Sequence, residues 1–225
     1  MLDQLIIGTK ASFDEFGASV ARRTISQPTK KIVKETIPFS NITYDFSGIN
    51  GELYWEERKL EYVFEITAPT PHELEELKKA FASWIMNTVS EKIFDPFIAG
   101  YHFVGTFESM EFDDEEHEEK TTATVVFSAY PYKISNEEVV CKQILGPAER
   151  ADIIIVNTSS HRISPTITVD AACSISFGDV VYTIPAGTYT GDELWLVVGE
   201  NAFTLSNPSD SIQCTVTISF FEEVF

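Results

Sequence analysis

One helix is strongly signalled in this chain, and it stands almost alone. Thr70-Pro71-His72-Glu73 supplies an N-cap threonine, a proline at the first helical position and a glutamate three residues past the cap. Such a start satisfies or removes the free N–H groups of a first turn. Leu74, Leu77, Phe81, Trp84, Ile85 and Thr88 then recur at spacings of three and four, with Glu75, Glu76, Lys78 and Lys79 on the other face. That period predicts an amphipathic helix over about 71–87, packed by its apolar stripe against a sheet. With so little helix in 225 residues, the cores must come from sheets, and the fold class is mainly β with one α-helix.

Nearly everything else reads as strand. Residues 54–67 are rich in aromatic and β-branched side chains, and 92–97 form a short run containing Pro96. Residues 101–112 and 121–130 read as the arms of a long hairpin, about 101–130. Tyr101, Phe103, Gly105 and Phe107 share one face of it, as do Ala123, Val125 and Phe127 on the other arm. Beyond Pro147 come short strands at 152–157, 166–170, 173–177, 180–184, 193–198, 202–206 and 211–221. Turn signals at Gly178-Asp179, Pro185-Ala186-Gly187, Gly191-Asp192 and Gly199-Glu200-Asn201 separate several of them, which is the rhythm of a β-sandwich or jelly roll.

Charge divides the chain in the same place. Residues 1–135 hold 23 acidic and 13 basic residues, whereas 136–225 hold 12 acidic and only Lys142, Arg150 and Arg162. The shift argues for two domains joined between Tyr130 and Pro147, with boundaries at 1–138 and 139–225. A net charge of −19 argues against a nucleic-acid-binding or anionic-membrane surface, since both need clustered Lys and Arg. No apolar run approaches the roughly 18 residues of a membrane span, and the first residues lack the basic start of a signal peptide. Cys141, Cys173 and Cys214 are odd in number and widely spaced, so neither a disulfide framework nor a zinc site is expected. Cys173 and Cys214 read as small buried hydrophobes.

A search for chemistry returns no catalytic residue, no metal ligand and no cofactor-binding residue. The chain lacks G-x-S-x-G, a phosphate-cradling glycine loop and a dinucleotide fingerprint. His72-Glu73 opens a helix, but Glu76 stands where H-E-x-x-H needs its second histidine. His72, His102, His117 and His161 are scattered. The acidic stretch 113–119 lacks the glycine and alternating ligands of a calcium loop. It reads as a solvated hairpin tip, with a glycosidase carboxylate pair as the alternative, since sequence spacing does not fix separation in space. Lys30, Lys31 and Lys34 form the one basic cluster, which a neighbouring copy's acidic tip could neutralise. Trp195 is either core or a sugar-stacking platform.

The order of features resembles the distal tail proteins (Dit) of long-tailed phages, mostly those infecting Gram-positive bacteria. Asp14-Glu15-Phe16-Gly17 with Ile25-Ser26-Gln27-Pro28 is similar to the family's opening strand pair. Residues 37–47 are similar to a later segment of it, with Phe39 and Ile42 where the family carries glycines. The stretch from Tyr54 through Arg58, Leu60 and Tyr62 to Phe64 resembles the family's "Y..R.l.y.F". After the helix, Asp95-Pro96-Phe97 and Tyr101 to Gly105 follow in the expected order. Ser128 to Ile134 is similar to the end of the family's first domain, with Tyr130 in place of the usual Asp. Asn157, Ser164 to Ile167 and Gly199 to Phe203 match its second-domain skeleton.

The resemblance implies a tail-tube-like β-sandwich with a helix, followed by a galectin-like β-sandwich. It implies a structural virion component, not an enzyme: a hexameric ring, assembled in the host cytoplasm, that joins the tail tube to the tip. The partners implied are further copies of the chain, tube, tape-measure and tip or receptor-binding proteins. DNA would pass through the lumen without specific binding, and no membrane is involved. The galectin sugar signature is missing around His161-Arg162-Ile163 and Trp195, so sugar binding is not implied. A carbohydrate-binding sandwich is the alternative function. The 101–130 hairpin is long for its domain and is expected to extend a sheet into a neighbouring copy.

Overall fold

The structure is a computed structural model describing residues 3–48, 51–114, 119–178, 180–191 and 194–225. It divides into two compact units, Met1–Lys133 with Phe225, and Ile134–Val224.

The first unit begins with β1 (Ile6–Ile7), β2 (Lys10–Ala11), the short helix α1 (Ser12–Phe16) and β3 (Ala18–Ile25). It continues through β4 (Lys34–Thr36), β5 (Thr43–Asp45), β6 (Arg58–Thr67), α2 (Pro71–Met86), β7 (Glu91–Phe94), β8 (Tyr101–Asp114) and β9 (Lys120–Ala129). One antiparallel sheet runs β3-β6-β9-β8-β7-β1-β2. Strict alternation along β6 turns Leu60, Tyr62, Phe64 and Ile66 inward, all fully buried. Ala123, Val125 and Phe127 of β9 face the same core.

Helix α2 covers that core as its period predicts. The Thr70 hydroxyl accepts from the Glu73 N–H at 3.3 Å and donates to the Glu73 carboxylate at 3.1 Å. Asn87 ends the helix, donating its side-chain amide to the Ser83 carbonyl. Phe81 meets Phe64 edge-on at 5.1 Å, and Trp84 stacks on Phe16 at 4.8 Å. The left-handed Gly17 (φ 63°) stops α1 and lets the chain reverse into β3.

Two bulges re-aim side chains that simple alternation misplaces. An extra residue at Glu108 interrupts the β8–β9 ladder, so Phe103 and Phe107 face the core before it and Met110 and Phe112 after it. A second bulge, between Val20 and Arg22, turns Arg23 into the interior. Its Nε reaches both oxygens of the fully buried Asp95 carboxylate at 2.9 and 3.1 Å, and its Nη2 pairs with Asp3. The Val20 N–H donates to the Asp3 carbonyl at 2.7 Å, so the ends of the curled sheet meet there. Gly105 is needed for close approach, because a Cβ would lie 2.9 Å from the Ile93 side chain.

The expected hairpin is present as β8 and β9. Strand β9 pairs with β6 from Lys120 to Ala129 on one edge and with β8 on the other. It is the middle of its own sheet and has no free edge to lend.

The second unit holds β10 (Lys133–Leu145), β11 (Arg150–Asn157), β12 (Thr166–Val169), β13 (Cys173–Phe177), β14 (Val180–Ile184), β15 (Gly187–Tyr189), β16 (Gly199–Ser206) and β17 (Cys214–Val224). Its sheets run β15-β12-β17-β10 and β11-β16-β13-β14. Ile167, Val216 and Ile218 from the first pack with Ile175, Phe203 and Leu205 from the second. Three buried asparagines brace the loops. Asn201 donates to the Val197 and Gly199 carbonyls and accepts from the Val197 N–H. Asn157 and Asn207 do the same work around Leu196 and Ile212. Of the strand expected over 193–198, Glu193 lies outside the described residues and 194–198 hold a single bridge, Ile163 with Leu196, because the Asn201 bracket folds this stretch into a loop. Burial pushes the Cys173 thiol up to about 11, and the nearby Cys214 adds to the shift.

Arg23 and Arg58 predict opposite mutational signs. Arg23 neutralises Asp95, so Arg23→Met strands a buried carboxylate and costs about 3–5 kcal/mol of unfolding free energy. Arg58 is 2% exposed, with Nε and Nη2 unpaired and the Phe103 ring 5.6 Å away. Burial lowers its pKa. Arg58→Met therefore leaves stability unchanged or raises it by about 1–3 kcal/mol. Urea unfolding of both variants checks the pair, and equal losses in the two contradict the assignment.

Candidate assembly surface

Residues 26–48 and 51–57 leave β3 and return to β6 as a two-stranded arm. Ser26 and Lys59 exchange hydrogen bonds at its base, and a bridge joins Lys30 to Trp55. Further out, the Lys31 N–H donates to the Tyr54 carbonyl and the Phe46 N–H to the Val33 carbonyl. Strands β4 and β5 pair from Lys34–Asp45 to Thr36–Thr43. The Ser47 N–H donates to the Asp45 carboxylate and the Ser47 hydroxyl accepts from the Val33 N–H, which fixes the returning strand. Those Ser47 hydrogen bonds hold the Asp45 carboxyl below its usual range.

The backbone of this arm is paired, but its apolar side chains are not covered. Ile32, Val33, Ile37, Phe39, Ile42, Tyr44, Phe46, Leu53 and Tyr54 are all exposed. Tyr44 and Phe46 stack at 6.2 Å, while Phe39 at the turn is fully exposed. Phe39 also has φ 65°, a left-handed conformation that costs a non-glycine residue about 1–2 kcal/mol. It occupies a position where the pattern that this segment resembles carries glycine. A bulky ring held in that conformation, in solvent, gains nothing from its own chain. A two-stranded ribbon is at best marginally stable alone, and so many exposed apolar side chains on one ribbon make it a candidate interaction surface. Lys30, Lys31 and Lys34 put positive charge on the same arm of a chain whose net charge is −19.

The other sites considered in the sequence are not brought together. His102 is buried against the Phe94 ring at 5.1 Å, and His161 pairs with Glu223 at 2.8 Å. His72 sits in the first turn of α2. Among the described residues, no three His, Cys, Asp or Glu side chains gather as metal ligands. Glu115, Glu116, His117 and Glu118 of the acidic tip lie outside the described residues. Trp195 is half-buried with the Arg162 guanidinium 4.2 Å from its ring, so one face of the proposed sugar platform is occupied. No helix of the described residues is long and apolar enough to cross a membrane.

The arm is hard to read from sequence because its strands are only three residues long, although Ile42, Tyr44 and Phe46 alternate through the second of them and its flanks. The signal that could have found it is the density of Ile, Phe and Tyr between 32 and 54 beside the basic cluster.

No protein-family model and no curated protein matches the chain. Solved structures do. The crystal structure of SPP1 Dit (gp 19.1), a paradigm of the hub adsorption apparatus in phages infecting Gram-positive bacteria, superposes over 99% of both chains. The TM-score is 0.71 at 14% sequence identity. A chain of the phage p2 baseplate, in its activated conformation with Sr, aligns over 96% of this chain and 97% of that chain, with TM-score 0.43 and 9% identity. The chain thus shares, from end to end, the mainly β fold of SPP1 Dit.

Proposed function

We propose that this chain is a structural hub of a phage tail, working by self-association into a ring and not by catalysis. The observation that carries the reading is the 26–57 arm, with nine large apolar side chains in solvent on a fold matched along its whole length by a phage hub protein. Burying an apolar side chain contributes about 1.5–3 kcal/mol, so a few of these suffice to drive association once ordering costs are met. A copy that lays its arm on the next copy leaves its own body to receive another arm, and such head-to-tail contacts close into a ring. The basic cluster on the arm meets a body of opposite charge, which aligns the contact.

A ring of this kind sits between the tail tube and the tip, with tube, tape-measure and receptor-binding proteins as further partners in the virion. The charge of −19 suits a conduit, since acidic walls do not retain a polyanion passing through. Sugar recognition has less support, because Arg162 lies against the Trp195 ring.

Sedimentation of the purified chain and electron microscopy of isolated tails test the reading together. Six copies of a 25.3 kDa chain give about 150 kDa and a sixfold collar. Phe39→Gly removes the left-handed strain, so melting stays put or rises, while association weakens at least about tenfold. A chain that remains solitary both in concentrated solution and in particles contradicts the proposal. So does a Phe39→Gly variant that assembles as well as the parent.

A further inference from the structure

The second unit contains an apolar cavity of about 400 Å³ that self-association does not use. It opens between the two sheets, lined by Ile167 of β12, Ile175 of β13, Tyr182 and Ile184 of β14, Tyr189 of β15 and Leu194. Ile175 forms a floor at 1% exposure. Tyr189 is a fixed wall: its hydroxyl donates to the Pro185 carbonyl at 2.9 Å, and its ring lies on Gly187, where an added Cβ would meet it at 3.4–3.6 Å. Among the described residues no charged side chain lines the space; Asp192 and Glu193, between the lining residues Gly191 and Leu194, lie outside them. The described lining is mostly aliphatic and aromatic, so an aromatic ring would find apolar walls on several sides.

Two further observations say what kind of molecule carries that ring. Strands β14 and β15, which flank the cavity, are the outermost strands of their sheets and each pairs on one side only. Unpaired edges of this sort hydrogen-bond to an extended chain. Residues 136–225 hold 12 acidic and 3 basic residues, so a cationic segment is favoured over an acidic one.

We propose that this cavity docks one aromatic side chain of an extended partner segment whose flanking residues are Lys or Arg. The site is independent of the arm and stands even if ring assembly fails.

Calorimetric titration of the full chain tests it with four probes: acetyl-Gly-Lys-Trp-Lys-Gly-amide, the same peptide with Glu for Lys, the same peptide with Ala for Trp, and N-acetylglucosamine. The Lys-flanked tryptophan peptide is expected to bind at least about tenfold tighter than the Glu-flanked one. The alanine peptide and the sugar are expected to give no heat. Ile184→Trp fills the cavity from β14 and should abolish binding. Thr190→Trp blocks it from an exposed rim position and serves if the first variant melts early. No binding at millimolar peptide, equal binding of tryptophan and alanine peptides, a Glu-flanked peptide binding as well as the Lys-flanked one, unchanged binding in well-folded variants, or sugar binding lost in Ile184→Trp overturns the proposal.

Discussion

A ribbon of two strands has two faces and no interior. Whatever apolar side chains it carries must be covered by something else, and the 26–57 arm carries nine of them in the open. That constraint organises the account of this protein. The remainder of the first unit is self-sufficient: β6, β9 and α2 close a core in which Tyr62, Phe64, Phe81 and Phe127 are fully buried. The arm alone is incomplete. Phe39 is fully exposed and held in a backbone conformation that favours glycine.

The buried polar groups sort into those that hold the fold and those, such as the Arg58 guanidinium, that do not. Arg23, Asp95 and Asp3 tie the bulged strand β3 to the end of β7 and to the start of the chain, where the curled sheet meets itself. Burial and the neighbouring Asp95 carboxylate raise the Tyr62 phenol, which stays neutral beside this pair. Arg58 has no such partner, and burial also lowers the nearby Lys133. In the second unit the buried asparagines take the place of regular ladders, accepting or donating hydrogen bonds that satisfy backbone groups of the loops around Leu196 and Ile212.

Local chemistry was legible in the sequence where one residue type has one physical use. The Thr70 cap, the apolar stripe of α2 and the strands 173–177 and 180–184 all lie where spacing places them. The resemblance through Asn157 and Asn201 also acquires a physical reason, since both asparagines bracket loops. What spacing missed is what tertiary structure decides. A single inserted residue at Glu108 reverses inside and outside along β8, and alternation cannot announce it. Strand β10 mixes Glu, Lys and Asn with Val and Ile along its length, so no apolar period marks it. The 193–198 run has strand-like composition but is held as a loop by Asn201. The arm was hidden for a related reason: its pattern suits burial by a partner, and one chain read alone supplies no partner.

The most direct measurement of the central claim is amide hydrogen exchange over 31–46 as a function of protein concentration, followed by the same segment in isolated tails. The account predicts fast exchange in the dilute chain and strong protection on assembly, concentrated in the arm, with core strands such as β6 and β9 unchanged. Exchange in the arm that stays fast at every concentration and in the particle would contradict it.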